Sequence, residues 1–308
     1  MILCCGEALI DMIPEATSSG SKGFVPHPGG AIYNTAIALG RLGAPSAMLT
    51  ALSTDIFGKQ LYNELEASNV DISHVIFSDQ PTTLAFVQLT GGQASYSFYD
   101  ENSAGRMLTS SELPLISQDI NALYCGGISL ACEPCSEAYM ALLERDGKNR
   151  VVMFDPNVRT NFIDDAERYR ARIMKVISFA DIVKVSDEDL DWIIYGPSSS
   201  EEKAKSVLEL GASLVILTRG NLGATAYCKT GLPLHVPAEK TDVIDTVGAG
   251  DTFNAGVLSK LSELGCLKKE SLPRISPNSV ERALRFGAKV AGVTVSRAGA
   301  NPPWAEEL

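Results

Sequence analysis

The chain has 308 residues, 45% of them hydrophobic and 20% charged, which is enough apolar surface for a large buried core. Its net charge of −11 repels the phosphate backbone of nucleic acid and an anionic membrane surface, so neither is an expected partner. No apolar run reaches the roughly 18 residues of a membrane span, and the start, MILCCGEALIDMIPE, has no basic segment ahead of Glu7 and Asp11, so no secretory leader is expected and the cytoplasm fits.

Short apolar runs alternate with amphipathic stretches along the chain. Ile2–Cys5 reads as a buried first strand, and the Gly/Pro-rich stretch Pro14–Gly30 reads as irregular. A helix is predicted over Asn34–Leu42, a strand over Ala47–Leu52 and a helix over Phe57–Asn69. Thr82–Leu89 and Ala94–Tyr99 alternate polar and apolar residues around Gly91–Gly92, the pattern of a hairpin with one wet face. Strands follow at Ala122–Cys125, Val151–Asp155, Asp181–Val185 and Leu214–Thr218. Helices are predicted at Cys135–Arg145, Ala166–Ser178, Ser200–Glu209, Asp251–Leu264 and Ser279–Val295. Such alternation argues for an α/β fold with a mostly parallel sheet covered on both faces. The two stretches that break the rhythm are expected to form a small β flap on a single domain.

Seven cysteines are scattered through the chain, and Cys132 and Cys135 form a lone C-x-x-C. The three histidines, His27, His74 and His235, lie far apart, so reduced thiols are expected rather than a metal site.

In open parallel sheets, ligands bind beyond the carboxyl ends of the strands. Three predicted strands end in polar clusters: Asp155-Pro156-Asn157-Val158-Arg159, Lys184-Val185-Ser186-Asp187-Glu188-Asp189, and Thr218-Arg219-Gly220-Asn221-Leu222-Gly223. Ordinary helix capping explains any one of them; three in register point to a site. The sharpest signal is DTVGAGDTFNAG, Asp245–Gly256, ahead of an apolar-periodic helix. Gly248 and Gly250 let successive backbone N–H groups converge as an anion nest at a helix N-terminus, which suits a phosphoryl group in transfer. Asp251, at the mouth of the nest, can take a proton from an attacking hydroxyl, or it can simply cap the helix. No G-x-x-x-x-G-K-[ST] is present, and no complete G-x-G-x-x-G follows the first strand. Gly29-Gly30 opens the Thr35–Leu42 helical run, with Asn34 offering donors and acceptors to a sugar and Asp11 offering two acceptors; a plain turn and a helix cap are the alternatives.

Two motifs, GGAIYNTAIALGRLG at Gly29–Gly43 and DTVGAGDTFNAG at Asp245–Gly256, carry a resemblance to the ribokinase-like (PfkB) carbohydrate kinases over nearly the whole chain. GEALID, STDIFG at Ser53–Gly58, DENSAGRML at Asp100–Leu108, DPNVR and SRAGANPPW are most similar to the bacterial fructokinase branch. The resemblance implies a three-layer α/β/α sandwich over residues 1–308 with a small β lid, drawn from about 11–30 and 80–105. It implies ATP-dependent transfer of a phosphoryl group to a primary hydroxyl of a neutral sugar, most closely fructose. Asp251 would be the base and Gly248, Ala249 and Gly250 the anion hole. Asp11, Gly29, Gly30, Asn34, Asp100 and Arg159 would face the sugar. Lys184, Ser186, Thr218, Gly220 and Gly223 would border the nucleotide together with Gly248 and Gly250. Asp245 and Val247 match positions that help hold a monovalent cation such as K⁺. Where the family often has Asn-x-x-Glu organising Mg²⁺ through water, this chain has Ser186 and Asp189. Ketodeoxygluconate kinases of the family place an arginine near the position of Asp100, and an aspartate there repels a carboxylate, which favours a neutral sugar. A homodimer paired through the lid is the expected assembly. Rival readings are a nucleoside or riboside kinase, with Tyr33, Phe98 and Tyr99 stacking on a base, and a non-catalytic sugar-binding regulator on the same fold.

Overall fold

The first strand is Ile-Leu-Cys-Cys with every side chain buried, the signature of a strand covered on both faces. In the computed structural model, which describes residues 1–90, 93–229 and 231–308, that strand lies inside an eight-stranded sheet. The first half of the chain forms β1 (Ile2–Cys5), β2 (Leu9–Ala16), β3 (Lys22–Gly29), α1 (Ala31–Arg41), β4 (Ser46–Leu49), β5 (Ala51–Ser53), α2 (Ile56–Ala67), β6 (Ile76–Ser78), β7 (Leu84–Thr90), β8 (Gln93–Tyr99), β9 (Ala122–Gly126) and α3 (Cys135–Asp146). Then come β10 (Val151–Asp155), α4 (Ala166–Phe179), β11 (Ile182–Ser186), α5 (Asp187–Ile193), α6 (Ser200–Glu209), β12 (Leu214–Thr218), β13 (Ala224–Cys228), β14 (Leu234–Val236), α7 (Ala249–Glu263) and α8 (Pro277–Val295).

The large sheet runs β14-β13-β12-β11-β10-β9-β1-β4, parallel from β12 to β4 and antiparallel at β13 and β14. Period-two alternation splits its side chains between two cores. Ile2, Cys4, Tyr124, Met153 and Ile216 pack against α1, α2, α7 and α8 on one face. Leu3, Cys5, Leu123, Phe154 and Leu217 pack against α3 to α6 on the other. These three layers place every parallel strand's carboxyl end, and the N-terminus of α7, along one rim.

A second, four-stranded sheet, β3-β2-β7-β8, stands over that rim. Its β7–β8 hairpin matches the expected alternation, while Gly91 and Gly92 lie outside the described residues. The stretch read as irregular is instead the end of β2, from Pro14, with β3, an antiparallel pair in register from Leu9 opposite Gly29 to Ala16 opposite Lys22. Pro26 and Pro28 misled the reading. They sit on β3, an edge strand, where a missing N–H costs no ladder bond on the open side. The single strand expected over Ala47–Leu52 divides at Thr50 into β4 and β5, and β5 leaves the large sheet to pair with β6. Among the described residues no helix is long and apolar enough to cross a membrane.

Candidate active site

A cavity of about 330 Å³ lies between the rim of the large sheet and the small sheet. One wall is polar and comes from early chain: Asp11 of β2, Gly30 and Asn34 at the start of α1, and Glu7 in the link after β1. Tyr96 and Phe98 of β8 roof it. The opposite wall is Thr246–Asp251, the loop entering α7, with Arg159 and Lys184 beside it.

The N-cap of α7 is Gly248, not Asp251. Gly248 has φ +76°, and a Cβ there would come within 2.7 Å of the Ala300 side chain, so glycine is required twice over. Asp245 Oδ1 accepts the Val247 N–H at 3.0 Å and its Oδ2 accepts the Gly299 N–H at 2.9 Å, which pins the loop to the segment after α8. Among the described residues no protein acceptor takes the N–H groups of Gly250 and Asp251, the first-turn donors of a helix. They meet the cavity with the positive end of the α7 dipole, as an anion site requires.

Asp251 is buried, 7% exposed, at the floor between the two walls. Burial lifts its pKa to about 7; a hydrogen bond from Asn34 opposes that rise, the nearby Asp155 carboxylate adds to it, and the Arg159 and Lys184 cations oppose it. Asn34 Nδ2 donates to Asp251 Oδ2 at 2.9 Å, and Asn157 Nδ2 approaches Oδ1 at 3.5 Å. Behind it, Lys184 Nζ donates to Asp155 Oδ2 at 2.9 Å, and Asn254 Nδ2 donates to the same oxygen at 2.7 Å and to the Tyr124 hydroxyl at 2.9 Å. Burial alone would lower the pKa of Lys184, but Asp155 reverses the effect, so its pKa is raised and the ammonium stays charged. A Cβ on Gly250 would stand 3.3 Å from that ammonium, so the cation lies directly under the nest. A carboxylate poised near neutrality, beside free helix N–H groups and a fixed cation, can take a hydroxyl proton while negative charge grows nearby.

The sequence pattern of the pfkB family of carbohydrate kinases matches residues 1–307. The chain belongs to that family. It is 49% identical to a fructokinase of Rhizobium leguminosarum bv. trifolii over 288 residues, 93% of this chain and 86% of the relative. Two solved structures share its architecture. The fructokinase of Xylella fastidiosa with bound ATP superposes with a TM-score of 0.88 at 28% identity, over 97% of this chain and 93% of that one. The fructokinase of Vibrio cholerae O395, bound to fructose, ADP and calcium ion, gives 0.84 at 27% identity, over 97% and 94%. This pfkB kinase has the ribokinase-like α/β fold, with a mostly parallel central sheet.

The other residues singled out in the sequence fall into three groups. Asp11 faces the kinase's cavity, and burial raises its pKa to about 6 against the lowering effect of Arg159. Gly29 stands behind Asp11: a Cβ there would meet Asp11 Oδ2 at 2.2 Å. Asp100 stands apart from these two. It lies outside the cavity, where its carboxylate accepts the Thr83 hydroxyl at 2.9 Å and the Ser103 hydroxyl at 3.0 Å, with Arg106 at 3.6 Å. Those bonds tie the two feet of the β7–β8 hairpin. Ser186, Asp189, Thr218, Gly220 and Gly223 also lie outside the cavity. Ser186 N-caps α5 by accepting the Asp189 N–H at 3.0 Å. Asp189 accepts the Val158 N–H, and burial together with Asp155 raises its pKa to about 6. Thr218 donates to the Val185 carbonyl at 3.4 Å, and Gly223 packs on Val236–Ala238.

Sequence reasoning passed over Glu7 and Tyr96, and noted Asp155 and Asn157 at a strand end without giving either a role. Asp155 and Asn157 carried a signal, since both stand at the carboxyl end of β10. Asn157 holds φ +41°, a left-handed value that asparagine tolerates, and Asp155 Oδ1 accepts its N–H at 3.2 Å.

Proposed function

We propose that the protein is an ATP-dependent fructokinase in which Asp251 takes the proton of a primary hydroxyl of the sugar. The observation that carries this is the place of Asp251, buried between a wall of polar side chains and the open N-terminus of α7. The hydroxyl oxygen attacks the γ-phosphorus of ATP, its proton passes to Asp251, and the bond from that phosphorus to the β–γ bridging oxygen breaks toward ADP. Asp11, Gly30, Asn34 and Arg159 hold the sugar, with Gly29 backing Asp11. The Gly248–Gly250 backbone and Lys184 receive the transferring phosphoryl group. Thr218, Gly220 and Gly223 border the rest of the nucleotide, with Ser186 at the end of the neighbouring strand.

Magnesium, held through water by Asp189, would supply neutralisation of the phosphate charge. Among the described residues no group of three or more His, Cys, Asp or Glu side chains is arranged to hold a metal by itself. That suits an ion carried chiefly by phosphate and water, with Asp189 reaching it through water. Asp245 and the Val247 carbonyl supply the oxygen donors expected around K⁺. The single domain carries the small sheet as its lid, whose closure excludes water. The outer face of that lid exposes Phe24 and Tyr99, 47% and 65% accessible and both edge-on to Phe86, and this apolar patch fits pairing with a second copy of the chain. The cytoplasm, where ATP is abundant, is the proposed compartment.

Of the aromatics that would stack on a base in a riboside kinase, Phe98 alone lines the cavity. Tyr33 is core, donating to the Leu61 carbonyl, and Tyr99 is on the outer face. The deciding experiment is coupled ADP release with fructose, ribose, adenosine and ketodeoxygluconate. Fructose is expected to give the highest kcat/KM. A higher value with another acceptor, or no sugar-dependent ADP at all, sinks the proposal.

A further inference from the structure

Glu7 is a buried carboxylate at the cavity, 9% exposed, that takes no part in the chemistry above. It leaves the end of β1, and each of its oxygens is held by a different piece of chain. Oε1 accepts the N–H of Ala31, the first residue of α1, at 3.1 Å. Oε2 accepts the Ser129 N–H at 3.3 Å and contacts the Ser129 hydroxyl at 2.5 Å, both in the helical turn after β9. One side chain thus joins two turns that both line the cavity, one through Gly30 and Ala31, the other through Gly127 and Ile128.

The surroundings are shaped around this contact. Gly127 has φ +64°, and a Cβ there would stand 2.1 Å from Glu7 Oε1. α1 has no side-chain cap and no acidic residue in its own first turn, so Glu7 supplies both from outside the helix. Burial raises the Glu7 pKa, and the Ser129 and Ala31 donors oppose that rise. From the clamp the helix carries on inward: the Asn34 N–H donates to the Gly30 carbonyl at 2.8 Å, and the Asn34 side chain holds Asp251.

We propose that Glu7 is a positioning residue that sets the length of the acceptor end of the cavity, by fixing the Gly30–Ala31 and Gly127–Ser129 turns at the separation a hexose needs. This rests on the fructose reading. In Glu7→Gln the amide oxygen can keep the Ala31 N–H only if its NH2 turns toward Ser129, where it loses the Ser129 N–H and the hydroxyl must accept rather than donate, so the clamp on that turn is weakened. None of the Glu7 hydrogen bonds named above reaches the phosphoryl wall on α7 and the strands beyond β9 directly.

The test is steady-state kinetics of Glu7→Gln and Ser129→Ala beside the unaltered enzyme, with fructose and ribose as acceptors and ATP varied separately. For Glu7→Gln the KM for fructose is expected to rise about tenfold, the scale on which small misplacements of a bound substrate are felt. The fructose-over-ribose ratio of kcat/KM falls with it, while the KM for ATP stays within about twofold. Ser129→Ala shifts the same two quantities less, and it decides the matter if Glu7→Gln does not fold. An unchanged fructose KM and ratio in folded variants, even with a lower Tm, overturns the inference, as does an equal rise in both KM values. An unaltered enzyme that prefers ribose to fructose overturns the functional reading instead, and the length argument with it.

Discussion

Asp251→Asn should abolish most turnover and, at neutral pH, make the protein more stable. Burial lifts the Asp251 pKa from an ordinary 3.8 to about 7. The native state therefore binds a proton that the unfolded chain has already released between about pH 4 and 7. Stability falls as pH rises through that window and levels off above it. At about 1.4 kcal/mol per pH unit, a gap of some three units withholds at most about 4 kcal/mol above pH 7. An asparagine carries no charge to desolvate, so the variant recovers part of that amount at pH 8 and almost none near pH 4. Urea unfolding at the two pH values measures the stability, and coupled ADP release measures kcat, expected to fall by about two to four decades. A variant equally destabilised at both pH values, or one with kcat within about threefold of the native enzyme, would refute the charged, buried base.

Asn34→Leu removes the hydrogen bond that holds the ionised carboxylate, so the acid limb of the kcat/KM profile should move up by about one to two pH units, the equivalent of a bond to a charged group. A midpoint that stays or moves down argues against the contact. Gly248→Ala places a methyl against Ala300 in a left-handed turn, at a cost of about 1–2 kcal/mol from the backbone alone; kcat should fall, and Ala300→Gly should restore only part of it. Asp100→Ala should lower the Tm by removing the acceptor that Ser103 and Thr83 share, leaving Thr83 only the Ser103 hydroxyl, at a cost of about 1–3 kcal/mol, with the fructose KM unchanged in the same kinetic assay. Lys184→Met leaves Asp155 buried and unpaired, a loss of about 3–5 kcal/mol, and the double variant Lys184→Met with Asp155→Asn should regain stability in urea but not kcat.

What the sequence made legible was local. β1, β10, β12 and α6 occupy the residues their patterns marked, because apolar runs bounded by capping residues need no distant partner to be recognised. The nest was readable for the same reason, since Gly248, Gly250 and Asp251 are neighbours in the chain. β13, β14 and α5 escaped, being short and without a clean period. The prolines of β3 read as irregular until pairing showed that they lie on an edge. At the site, the pairs that tune Asp251 span long separations: Asn34 to Asp251, Asp155 to Asn254, Glu7 to Ser129. Only the folded sheet brings them together. Asp100 shows the converse. Its motif was recognised, but its direction depends on Thr83 and Arg106, which no local pattern reveals.

The cavity is assembled from two separable stretches of polypeptide. In the proposed reading the residues that meet the acceptor come from 7–34, 96–98 and 127–128, with Arg159 crossing over, whereas those that manage the phosphoryl group come from 155–184 and 245–254. Strands β9 and β10 stand between the two halves as neighbours in a rigid sheet. Exchanging the first set would therefore redirect which alcohol is accepted without disturbing how phosphorus is delivered, and a single scaffold of this shape can serve many acceptors with one transfer apparatus.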